Sequence, residues 1–216
     1  MKRLVVWVSI GLAALSVSGC SEEPGDKALP GPASSVPGPA EQTPSSMPGQ
    51  SELPHSGAPA VSDPLPESVL SGDPCEALTS QQVKVALGAE VSEGERRDLD
   101  EVGPGCGWSN PATFGGLQIG FHTVTRQGLS ATYANAKPRS AIFRELGSIQ
   151  GFPAVAYKDG EDDRICTVVV GLADEYSITS TIGLSVAKKT EGVDSCVPAE
   201  QVVELVVGNL KAKAGR

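Results

Sequence analysis

Five cysteines, at positions 20, 75, 106, 166 and 196 of 216, limit this chain more than any other feature. Four lie in the last two thirds of the sequence, and the fifth stands alone behind an apolar leader. An even set of cysteines in an exported chain implies disulfides, whereas a reducing compartment favours metal or redox chemistry. Zinc sites want close pairs such as Cys-x2-Cys, redox motifs want the same two-residue gap, and neither occurs here. Four cysteines permit three connectivities. Pairing of sequence neighbours is favoured, Cys75 with Cys106 and Cys166 with Cys196. Each bridge would close a loop of about 30 residues, worth roughly 3.5 kcal/mol in the chain-entropy model.

Export is read from residues 1–19. Lys2 and Arg3 precede 14 residues without charge, Leu4 to Val17. A membrane-spanning helix needs about 20 such residues, so a cleaved signal fits better than a permanent span. The run ends in Val17-Ser18-Gly19-Cys20. Small residues before a cysteine resemble the bacterial lipobox. That likeness implies a signal cut before Cys20, diacylglycerol on its thiol, and acylation such as palmitate. The membrane is then the expected partner, through lipid on Cys20. Two or more acyl chains hold a protein stably where one does so only marginally.

Residues 20–72 read as a disordered, acidic, Pro/Gly-rich tether. Between Ser21 and Pro74, 54 residues carry 12 of the 17 prolines, a net charge of -7 and no aromatic residue. Such a stretch buries too little apolar surface to offset its ordering entropy. Its extended limit is on the order of 160 Å. The whole-chain charge of -9 is therefore mostly tether, and Cys75 to Arg216 carry only -4. An acidic chain lacks the basic face of a nucleic-acid binder, so no nucleic-acid partner is expected. With two histidines in 216 residues, no His-rich metal site is possible.

Residues 73–216 read as a disulfide-stapled α+β domain. Thr79 and Gln82 have capping-box spacing, which predicts a helix over 79–87 stopped by Gly88. Residues 93–105 read as a loop and 106–109 as a strand. Leu117, Ile119 and Phe121 alternate with Gln118 and His122, so 117–125 reads as a strand. A helix follows over 129–136, then strands over 142–149, 154–157, 165–172 and 176–184. Gly151-Phe152-Pro153 reads as a kink or bulge between two of them. Pro198 opens a last helix with Val202, Val203, Leu205, Val206 and Leu210 as its apolar stripe. Strands joined by short turns favour an antiparallel sheet with helices packed on one face.

These features together are similar to the domain-of-unknown-function family 3558 of exported actinobacterial lipoproteins. The carrying residues are Cys20, the Pro/Gly-rich spacer, Asp73-Pro74-Cys75 and Cys106-Gly107-Trp108-Ser109. Gly151-Phe152-Pro153-Ala154-Val155, Cys166-Thr167-Val168-Val169-Val170 and Cys196 complete them. The resemblance spans roughly 72–211. It implies a lipoprotein with a two-disulfide domain, and brings no catalytic residue or cofactor with it.

Neither catalytic residues nor metal or cofactor ligands are expected along the sequence. His122 is the only histidine of the domain and reads as a solvated strand residue. Ser185-Val186-Ala187-Lys188 matches Ser-x-x-Lys, without the companion motifs of penicillin-interacting enzymes. Asp159, Glu161, Asp162 and Asp163 read as a charged hairpin tip. Trp108, Phe121, Tyr157 and Tyr176 are the candidate ligand surface. The expected function is a non-catalytic binding or sensing module for an envelope ligand or partner, held on the extracytoplasmic face of the cell membrane. The alternatives are an accessory subunit of a membrane complex and a carboxylate-based hydrolase of envelope polymers.

Overall fold

The structure is a computed structural model, and it describes residues 52–161 and 163–216. The leader, Cys20, residues 21–51 and Asp162 lie outside the described residues.

The framework is one antiparallel sheet of seven strands: β1 (Glu95–Arg96), β2 (Gly105–Asn110), β3 (Gly115–His122), β4 (Ile142–Ile149), β5 (Phe152–Lys158), β6 (Ile165–Gly171) and β7 (Ser177–Gly183). Their spatial order is β1-β2-β3-β7-β6-β5-β4. Helices α1 (Ser80–Leu87), α2 (Gly128–Asn135), α3 (Val186–Thr190) and α4 (Cys196–Lys213) complete it, with two short 3-10 helices, Glu67–Leu70 and Pro74–Ala77. The expected α+β class, antiparallel sheet and both disulfides are present, with Cys75 bonded to Cys106 and Cys166 to Cys196.

Local chemistry sets the helix ends. Thr79 accepts from the Gln82 backbone N–H while the Gln82 side chain accepts from that of Thr79. This capping box satisfies two donors that a helix start otherwise leaves orphaned. At the start of α4, Asp194 accepts from the Cys196 N–H and pairs with buried Lys158 of β5. The Lys158 hydrogen bond holds the Asp194 carboxyl below the usual carboxylate range. The Cys166–Cys196 bridge fixes the same helix end to β6.

The main core fills one face of the sheet. Leu117, Ile119 and Phe121 of β3 and Ile178 and Ile182 of β7 lie under α4 and α1. From α4 come Ala199, Val202, Val203, Val206, Val207 and Leu210. Leu205 is 38% exposed, and Val207 takes its place in the stripe. A period of 3.6 puts Val207 one turn from Val203 and swings Leu205 away.

Three sequence expectations are corrected. First, α2 lies on the opposite face, so not all helices share one side. Its Leu129 and Tyr133 pack on Val155 and Val169 in a second cluster. Gly171 permits that approach, since a Cβ there would sit 2.9 Å from Leu129 Cγ. Second, Phe152 and Pro153 are the first residues of β5, with no kink. Gln150 and Gly151 form the turn, both at positive φ, as a tight two-residue hairpin requires. Pro153 precedes the first residue of β5 that pairs with β6, Ala154, so its missing N–H leaves that ladder intact.

Third, the folded unit begins upstream of residue 73. Residues 52–72, expected as tether, form a strap bound along the domain. Leu65, Val69 and Leu70 are buried in the main core. Leu65 bonds through its N–H to Leu172, and its carbonyl accepts from the Tyr176 hydroxyl. Asp63 takes a two-pronged contact from Arg216, and Glu67 pairs with Arg126 at 2.7 Å. Prolines made this stretch look unfoldable, yet its few large apolar residues meet a prepared cleft. That leaves 31 residues between Cys20 and Glu52.

A strap that belongs to the core has a measurable stability. Leu65→Ala is expected to lower the unfolding free energy by about 2–4 kcal/mol in urea titration. A loss within about 0.5 kcal/mol, as at an exposed position, would return the strap to the tether.

Candidate functional site

The second face of the sheet carries a different chemistry, because strand side chains alternate. Against the buried Leu117, Ile119 and Phe121, β3 sends Gln118, Gly120 and His122 to this side. On β7, Thr179 and Thr181 do the same against Ile178 and Ile182. Register lines these residues into a row across five strands: Gly107, Gln118, Thr181, Thr167 and Tyr157. The Thr167 and Thr181 hydroxyls hydrogen-bond at 2.9 Å within it.

Two walls turn the row into a trough. On one side stand Arg97 and the 99–104 loop, and on the other α2 with the residues that follow it. One cavity, of about 260 Å³, is lined by Arg97, Gly103, Gln118, His122, Thr179 and Thr181 among others. A second, of about 520 Å³, is lined by His122, Thr125, Thr132, Asn135, Arg139 and Tyr157 among others. His122 and Val102 border both cavities.

Among the described residues, half-buried His122 makes one side-chain hydrogen bond, 3.4 Å from Nε2 to Thr179 Oγ1. Burial lowers its pKa from the ordinary histidine value, so near neutral pH it is an uncharged donor and acceptor. The Tyr157 phenol is pushed up, mainly by burial, and keeps its proton. The sequence reading of His122 as solvated is corrected here: it lies on the outward face, but loop and helix enclose that face.

The four candidate aromatics do not form one surface. Trp108 is 7% exposed and lines a separate cavity beside Cys75, Val83 and Gly94. Gly94 fits there because it lacks a side chain, its Cβ position being 2.9 Å from Cys106 Sγ and 2.8 Å from Trp108 Nε1. Phe121 is buried in the core and edges a small cavity near Asn209. Tyr176 borders the strap, bonded to Leu65. Only Tyr157 reaches the trough. Cross-strand register, invisible in one sequence, divides them. Thr179 and Thr181 were missed, although the Ser177–Ile182 alternation carried their signal.

Other sequence candidates have structural roles. Ser185 caps α3 by accepting from the Lys188 N–H, while Lys188 Nζ pairs with Glu191. Asp163 accepts from the Ile165 N–H at the start of β6. Among the described residues, no group of three or more His, Cys, Asp or Glu is placed to hold a metal ion. No described helix is long and apolar enough to cross a membrane.

A model of the family described as "Protein of unknown function (DUF3558)" matches residues 15–209. The chain belongs to that family. The DUF3558 match takes in Cys20, the strap, all four disulfide cysteines and every trough residue named above. No curated protein and no solved structure matches the chain.

The trough histidine sets a pH dependence. Because the folded-state pKa of His122 is lowered, the unfolded chain takes up this proton first as pH falls. Stability linked to His122 is complete above the unfolded value and declines as pH drops through the ordinary histidine range toward the folded value. Its imidazole should titrate below 6.5 by NMR. Between pH 7.5 and pH 5 the wild type should lose more stability than His122→Gln; equal losses would contradict this burial.

Proposed function

We propose that this chain is an extracytoplasmic lipoprotein, anchored in the cell membrane through lipid on Cys20. Its folded domain binds an envelope ligand in the trough over β3 and β7. The trough carries this reading: a concave surface of apolar side chains with a few convergent polar groups, beside a well-packed core, is where small ligands bind. Supporting the anchor are the basic n-region, the 14-residue apolar run, the Val17-Ser18-Gly19-Cys20 sequence and a family match that includes Cys20. An actinobacterial origin belongs to the same proposal.

The lining supports binding over turnover. Among the described residues it holds one carboxylate, Asp159, and one histidine, His122. A carboxylate-based hydrolase needs two carboxyls facing each other across its substrate. The accessory-subunit alternative rests on another observation. Phe114, Ile165 and Val186 are exposed apolar residues at one end of the sheet, where Gly183 pairs with both Gly116 and Ile165.

The anchor and the trough are tested separately. Cys20→Ala is expected to move the protein from membrane to soluble fractions; unchanged membrane attachment would refute the lipid anchor. For the trough, immobilised full-length protein is exposed to an envelope extract, and retained small molecules are read by mass spectrometry. Ala131→Phe, which fills the larger cavity from α2, should abolish retention, while Val85→Thr on exposed α1 surface should not. Equal retention by all three proteins would refute binding in the trough.

A further inference from the structure

Resting on that reading, we propose that the trough ligand is a neutral, polyhydroxylated molecule, a saccharide of more than one ring. Thr125, Thr132 and Ser140 present hydroxyls, Asn135 an amide, His122 an imidazole and Tyr157 a phenol. Hydroxyls and the neutral imidazole both give and accept hydrogen bonds, as sugar hydroxyls do.

Local bonds leave part of this capacity open. Asn135 donates through Nδ2 to the Ala131 carbonyl, which leaves its amide oxygen. Arg139 donates through Nε to the Asn135 carbonyl, which leaves two terminal nitrogens. Ser140 donates to the Ala136 carbonyl, and its lone pairs remain. The first cavity continues the pattern with Gln118, Thr179 and Thr181.

Charge balance argues against simple anions and cations. The lining of the larger cavity holds one cation, Arg139, and one carboxylate, Asp159, and Arg97 in the smaller is already paired with Glu95 at 2.7 Å. An anion site needs surplus positive charge, and a cation site needs several carboxylates. The lining also has apolar members, Val102, Ala131 and Ala136, and hydrogen-bonding groups set among them suit a sugar ring, with its apolar face and hydroxyl edge, better than a lipid chain. Burial keeps His122 and Tyr157 uncharged, which leaves hydrogen-bond matching as the means of selection. Such a site discriminates strongly against ligands lacking the hydroxyls it binds. Size agrees: the larger cavity, about 520 Å³, lies within the ~300–1,000 Å³ of small-molecule sites. The smaller one extends it past His122.

The experiment titrates the full chain, purified from membranes, with trisaccharides of glucose and of N-acetylglucosamine. Alanyl-alanine and inorganic phosphate serve as zwitterionic and anionic probes. Calorimetry should show saturable binding of at least one trisaccharide, with NMR shifts at His122, Thr132 and Tyr157. Asn135→Ala and Thr132→Val, both on α2, should each weaken it roughly five- to tenfold with little change in melting temperature. Binding of phosphate or dipeptide without any trisaccharide would overturn the saccharide assignment, and so would trisaccharide binding indifferent to both variants. No binding of any probe also overturns it. If envelope-extract retention then still depends on an open cavity, as read by Ala131→Phe, the saccharide class alone has failed. If that dependence is also lost, the binding reading has failed with it.

Discussion

The alternation of side chains along β3 and β7 is the constraint on which the rest of this structure depends. One parity, with Leu117, Ile119, Phe121, Ile178 and Ile182, is apolar and buried beneath α4, α1 and the Pro74–Ala77 turn. The other, with Gln118, Gly120, His122, Thr179 and Thr181, is polar and lines the trough. A shift of one residue in register would exchange the two sets, burying a histidine and threonines while exposing the core. Core stability and trough chemistry are therefore fixed by the same pattern. The two disulfides hold its flanks, one joining the Pro74–Ala77 turn to β2 and the other joining β6 to α4.

The strap contributes in a second way. Its Ala58 packs beside Leu129, Tyr133, Val155 and Val169, and the His55 N–H bonds Ser130 of α2. The helix that walls the larger cavity is thus held from below by the sheet and from the side by the strap. Near its other end, Arg216 grips Asp63 and Lys213 donates to the Ser71 carbonyl. The strap so links the trough wall to the C-terminus of the chain.

Much of this was legible in sequence where the determining physics is local. The Thr79–Gln82 capping box, the β3 alternation and the paired cysteines depend on neighbours within a few residues or on loop length. What escaped depends on partners far along the chain. Leu65 sits between Pro64 and Pro66 in a stretch that looks unfoldable, and Leu172 and Tyr176, over 100 positions later, give it a place. The aromatics failed as a group for a related reason. Phe121 shares the parity of Leu117 and Ile119, a sign in the sequence itself that it faces the core. Tyr157 reaches the trough only because Thr167 and Thr181 align it with Gln118. Enclosure of His122 depends on α2 crossing to the second face, which Val155 and Val169 decide.

The central claim is that the polar parity of the sheet is where this protein meets its ligand. The most direct measurement follows the His122 imidazole and the backbone amides of β3 and β7 by NMR as envelope extract is added to the full chain. The account predicts shifts concentrated at His122, Gly120, Thr179 and Thr181 and extending to Thr132 and Tyr157. Shifts confined to the surroundings of Trp108 or Phe114, with the His122 resonances unmoved, would contradict it.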